Sequence, residues 1–181
     1  WLMTCFPIAQ FLCAPILGQL ADRFGRKKIL ALSITGTALS YVLFAIGILS
    51  KNLPLMFIAR ALDGASGGNI SVAQAVIGDI SSPQSRAKNF GLIGMAFGLG
   101  FILGPFLGGK LSDPHLVSWF TSATPFWFAA VLSTINVILV LRLLPETLRI
   151  RSETRIDFSR PIHNIIKAFS INGLKSIVPA T

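Results

Sequence analysis

Arg60 and Asp63 stand three residues apart in an apolar run, residues 53–79 of a 181-residue chain. A cation in hydrocarbon costs ~2.5 kcal/mol or more, so it needs a cavity or a partner, and a carboxylate one helical turn on supplies the partner. Ions held at that depth mark proton or substrate pathways. The alternative for the same residues is a self-neutralised structural pair near the outer interface, with Arg60 snorkelling to water. A second constellation lies in the strip GQLADRFGRKK, residues 18–28. There Asp22 and Arg26 have the spacing of a helix-face ion pair, while Arg23, Lys27 and Lys28 add charge. Gly18 and Gly25 permit close approach and a tight turn. Asp79, at the end of the run that holds Arg60, is placed to reach the same membrane interface as Arg26. Enzyme chemistry is not indicated. GLGFILG has Leu103 where the last glycine of a dinucleotide fingerprint would fall, and no Gly-rich run ends in Gly-Lys-Ser or Gly-Lys-Thr. His115 and His163 lie in separate polar segments outside any metal-ligand cluster. The chain is expected to hold no cofactor and no metal and to catalyse no reaction.

The elements that must hold these side chains are membrane helices. Residues 1–21 and 29–50 contain no charged side chain, and ~20 apolar residues at ~1.5 Å rise cover ~30 Å of hydrocarbon. The same reasoning gives spans over 1–21, 29–50, 53–79, 89–109 and 125–144, the last opened by Pro125, a residue tolerated in a first helical turn. A mean hydropathy of +0.70 over a chain without a polar domain agrees, since one soluble core would not supply five such runs. Residues 1–144 are thus a transmembrane bundle. Residues 145–181 form a polar, basic linker in which Ile162, Ile165, Ile166, Phe169 and Ile177 recur at near-helical spacing, fitting an interfacial amphipathic helix or a domain linker.

A net charge of +9 raises the possibility of nucleic acid, but the cations sit at span ends rather than on one folded face. If the spans alternate, all 16 except Lys51, Lys110 and the intramembrane Arg60 fall on one side. That asymmetry places the strip and the carboxy-terminal tail in the cytoplasm. Cys5 and Cys13 are eight apart on one helix, or ~12 Å, too far for a disulfide. Because the chain opens on Trp1 inside an apolar run and leaves an odd helix without a hairpin partner, a fragment is expected.

The run 89–109 is crowded with glycine: Gly91, Gly94, Gly98, Gly100, Gly104, Gly108 and Gly109. In lipid, small residues let helix backbones approach closely, so Gly64 with Gly68 and the pairs within 89–109 predict tight helix contacts. At 100° per residue the glycines of this run fall on two stripes, which implies two helix neighbours. Pro105 in the same run removes a backbone hydrogen bond and offers a bend. Gln10 and Asn136 are polar enough to line a cavity or to hydrogen-bond between helices.

These residues resemble the major facilitator superfamily of secondary transporters. The match to its loop between the second and third helices falls on Gly18, Leu20, Ala21, Asp22, Arg23, Gly25, Arg26, Lys27 and Lys28. The fourth-helix motif is resembled at Arg60, Gly64 and Gly68. The fifth-helix pattern that marks drug/proton antiporters is matched at Gly91, Gly100, Gly104, Pro105, Gly108 and Gly109, and Pro145, Glu146 and Thr147 look like the Pro-Glu-Thr that often follows the sixth helix. The resemblance covers residues 1–147 and implies an all-α membrane protein, helices two to six of one six-helix half. Helix one and the second half would then lie outside the chain. The tetracycline and multidrug efflux branch is the nearest likeness. Two positions depart from it: Ser40 stands before Tyr41 where tetracycline exporters carry an acid, and Asp63 stands where many members have Gln.

The resemblance implies proton-driven export of a small organic molecule by alternating access across a bacterial inner membrane or a plasma membrane. Partners would be the lipid bilayer, the substrate, the proton and the rest of the transporter, with no nucleic acid. In the family's pattern Asp22, Arg26 and Asp79 form a charge relay that latches the two halves when the cavity faces outward, with Gly18, Arg23, Gly25 and Lys27 in the same motif. Arg60 and Asp63 would lie on the proton or substrate path. A proton-coupled nutrient importer, or a membrane scaffold without transport, are the other readings.

Overall fold

A computed structural model describes residues 1–148. It contains six helices: α1 (Leu2–Phe24), α2 (Arg26–Leu49), α3 (Leu53–Ser66), α4 (Asn69–Ile80), α5 (Arg86–Leu111) and α6 (Thr124–Leu143). The expected amphipathic element in the tail falls, beyond residue 148, outside the described residues.

Four of the helices, α1, α2, α5 and α6, are each long and apolar enough to cross a bilayer, and they correspond to four of the expected runs. The fifth differs from expectation. Residues 53–79 do not form one helix but two, α3 and α4, which meet at Gly67 and Gly68. Both glycines keep right-handed dihedrals, so the chain bends without reversing. Packing accounts for the glycines here. A Cβ on Gly64 would strike the Phe6 carbonyl and lie 2.8 Å from the Ala9 Cβ, and one on Gly68 would lie 2.7 Å from the Ala14 Cα. The expected close approach at Gly64 and Gly68 is therefore made by α1, which lies along α3. At the bend the Gln10 amide donates to the Gly67 carbonyl at 3.0 Å. Of the two roles open to Gln10, the interhelical hydrogen bond is the one observed, whereas Asn136 is exposed on α6.

Helix ends follow the local sequence. Asn52 caps α3 by accepting from the Leu55 N–H at 3.1 Å, with Pro54 in the first turn. Pro125 likewise opens α6. Between α1 and α2 only Gly25 intervenes, at φ 110°, a left-handed value that a side chain would strain.

α2 is the centre of the bundle, packed between α3 and α6. Ala21, Ile29, Leu30, Ile34 and Val72 form a buried cluster that joins α1, α2 and α4, and Val137 and Val140 of α6 pack onto it. This cluster sits directly beneath the charged strip. α5 touches only the margins of α4 and α6 and has no buried residue. The expectation of two helix neighbours for its glycines is not met among the described residues. Among the described residues, nothing lies within 4 Å of a Cβ built on Gly91, Gly94, Gly98, Gly100, Gly104, Gly108 or Gly109. Both stripes are open surface, and Pro105 lies inside the helix.

Candidate functional site

Two ion clusters lie along the α3–α4 pair, one at the end of α4 and one within α3. The first gathers where α1, α2, α4 and α6 end together. Arg26, in the first turn of α2, directs Nη1 to Asp79 Oδ2 at 3.0 Å and Nη2 to Asp22 Oδ1 at 3.4 Å. The left-handed Gly25 turn brings Asp22 and Arg26 onto this corner from two different helices, and Asp79 arrives at the end of α4. Arg26 has only 15% of its side chain exposed, against 30% for Asp79 and 53% for Asp22. The Asp79 contact is therefore the shorter and drier of the two.

The other sequence-predicted members of this group are distributed unevenly. Arg23 lies beside the Phe24 ring, its Cζ 5.4 Å from the centroid. Lys27 is half-buried on the first turn of α2. Gly18 has open space around it among the described residues, so the close approach expected there is absent and only Gly25 fulfils its glycine role.

Glu146 and Thr147 complete the corner, although the residue pattern alone gave them no task. The Glu146 carboxylate accepts from the Arg26 backbone N–H at 2.9 Å and from the Leu148 N–H at 3.2 Å. It thus satisfies an amide that α2 leaves free at its N-terminus, where negative charge is favoured. It also fills the place that a Cβ on Gly25 would need. Thr147 donates its hydroxyl to Asp79 Oδ2 at 3.2 Å. The signal for these contacts was the Pro-Glu-Thr run after α6; the partners could not be read from it.

The second cluster lies on α3. Arg60 Nη1 and Asp63 Oδ2 are 3.4 Å apart on α3, and Asp63 is 5% exposed. The Arg60 Cζ lies 4.5 Å from the Phe44 ring centroid and 5.8 Å from that of Phe126. Those two rings, from α2 and α6, are tilted against each other at 4.5 Å. Ser40 and Tyr41 of α2 lie near the Asp63 carboxylate. Ser40, itself 1% exposed, also donates to the Thr37 carbonyl at 2.7 Å. The carboxylate is therefore buried and the guanidinium partly buried, with the Phe44 and Phe126 rings near the cation. Such an arrangement can carry a proton on the carboxylate or exchange the carboxylate for another anion.

Comparison with known proteins places these features. The family model for the Major Facilitator Superfamily matches residues 1–178. The chain is 37% identical over 155 residues to the class B tetracycline resistance protein of Escherichia coli, covering 84% of this chain and 36% of that protein. It is 36% identical over 147 residues to multidrug resistance protein 1 of Bacillus subtilis, covering 81% and 36%. Among solved structures, that of the human organic anion transporter MFSD10 (TETRAN) superposes with a TM-score of 0.71 at 34% identity, over 84% of this chain and 34% of that one. The chain spans about a third of the length of the curated relatives it matches.

Proposed function

The chain belongs to the Major Facilitator Superfamily, a class of multi-pass membrane transporters and not of enzymes, and on that premise we propose that it is part of a proton-coupled exporter of a small organic molecule. The observation that carries the reading is the Arg60–Asp63 pair, an ion pair whose carboxylate is 5% exposed among apolar helices. A carboxylate that accepts a proton in one conformation and releases it in another couples transport to the proton gradient. The likeness to tetracycline and multidrug resistance proteins supports export. The open glycine stripes of α5, at Gly91, Gly100, Gly104, Gly108 and Gly109 with Pro105 between, fit surfaces that meet further helices of the same transporter.

Arg26, with Asp22 and Asp79, is the proposed cytoplasmic latch. It holds the outward-facing state, and its release opens the cavity to the cytoplasm. The protein would sit in a bacterial inner membrane or a plasma membrane with its carboxy-terminal tail in the cytoplasm, in keeping with the one-sided placement of its cations.

A second reading, carriage of an organic anion, is favoured by the likeness to MFSD10, named as an organic anion transporter. Uptake of labelled drug into everted vesicles, with the full coding sequence expressed, tests the proposal. Uptake that collapses when the proton gradient is dissipated supports proton-driven export. Uptake indifferent to the gradient removes it, and competition by organic anions over cations selects the second reading.

A further inference from the structure

Arg60 carries two kinds of partner, and their geometries are unequal. Its contact with Asp63, at 3.4 Å, is looser than the ~2.7–2.9 Å of a well-formed charge-assisted hydrogen bond. Its contact with the Phe44 ring, at 4.5 Å, lies well inside the ~6 Å over which an aromatic face attracts a cation, and Phe126 is also within that reach. The Nε of Arg60 is buried without a hydrogen-bond partner among the described residues, so no polar group fixes that side of the guanidinium. Phe44 is 6% exposed and braced by Phe126. The rings therefore hold the cation alongside the carboxylate.

We infer that Phe44 and Phe126 are positioning residues, an aromatic seat assembled from α2 and α6 that keeps the Arg60 cation in place when Asp63 no longer neutralises it. The inference rests on the proposal that the pair lies on the transport path. While Asp63 is ionised, its charge cancels much of the guanidinium's field, and the rings see little more than a dipole. Once that carboxylate is neutral or turns to another group, the rings face a full positive charge in a dry site, where a cation–π contact is strongest. The seat thus allows Asp63 to change partners without expelling Arg60 toward water. It also ties α3 to both α2 and α6 through one side chain.

The test uses the full-length transporter with phenylalanine at position 44 replaced by mono-, di- and trifluorophenylalanine, which keep the shape of the ring while draining its negative face. We expect transport to fall stepwise with fluorine number, reaching about a tenfold loss at three fluorines. Phe44→Trp should retain activity, and Phe44→Leu should lose it. Activity that is flat across the fluorine series overturns the seat. Because fluorinated rings are near-isosteric, folding failure of Phe44→Leu does not blunt the test. Normal transport by Asp63→Asn would instead overturn the pathway proposal. In that event the melting temperature of the purified protein across the same series still judges the seat, a falling value supporting it and a constant one removing it.

Discussion

Replacing Arg26 by alanine should tip the conformational equilibrium of the complete transporter toward the inward-facing state by about tenfold. The magnitude follows from the corner where α1, α2, α4 and α6 meet. A hydrogen bond to a charged partner contributes ~1.5–3 kcal/mol when shielded from water. The Arg26–Asp79 contact is short at 3.0 Å, but Asp79 keeps 30% of its side chain exposed, which argues for the bottom of that range. The Asp22 contact, at 3.4 Å to a half-exposed carboxylate, adds little. A loss of ~1.4 kcal/mol is a tenfold change in a population ratio. Arg26→Lys should not rescue, because the point charge of an ammonium does not replace the planar guanidinium that fixes the Asp79 contact. Asp79→Asn should match Arg26→Ala, and the double variant should cost little beyond either, because the pair acts as a unit. The assay is proton-driven uptake in everted vesicles, with substrate binding from the cytoplasmic side measured in parallel. Transport should be crippled while that binding persists. Near-normal transport in both single variants would falsify the latch and leave the strip as a topology signal.

Three further predictions are independent of the latch. Single cysteines at positions 27 and 85 should be labelled by impermeant reagent only from the cytoplasm, and one at position 113 only from outside; external labelling at 27 would invert the topology. Asp63→Asn should abolish proton-driven uptake, and adding Ser40→Asp should restore part of it, since Ser40 faces the same space from α2 and an acid there can meet Arg60; a double variant as inactive as the single one would count against a shared carboxylate position. Gly104→Leu should abolish export, by blocking the contact its stripe makes with a further helix, at normal expression, since among the described residues nothing crowds that position, whereas Gly68→Leu should reduce folded yield by forcing α1 away from the bend; equal expression of both would contradict the packing described.

The apolar runs were legible because a bilayer demands long uninterrupted helices, and four of them emerge as such. Division of residues 53–79 was not legible. The run is mostly apolar, and Gly67 and Gly68 keep ordinary right-handed dihedrals at the bend, where α1 packs against them. Arg60, Asp63, Asp22, Arg26 and Asp79 could be picked out because charge is rare in such a chain. Their settings could not, since Phe44 and Phe126 come from other helices and look like any two lipid-facing aromatics. Glu146 was hidden for a different reason: its partner is a backbone amide, which leaves no trace in a residue pattern.

The bond between Glu146 and the Arg26 amide spans 120 residues, and this separation has a consequence for biogenesis. The ribosome makes α1 and α2 first and the Pro-Glu-Thr run after α6, so the first turn of α2 emerges with an amide that has no protein partner until nearly the whole bundle has been synthesised. Asp79 receives its hydroxyl from Thr147 at the same late moment. The charged corner is therefore the last part of the bundle to close, and a chain halted after residue 144 would carry all six helices yet lack the two side chains that seal their ends.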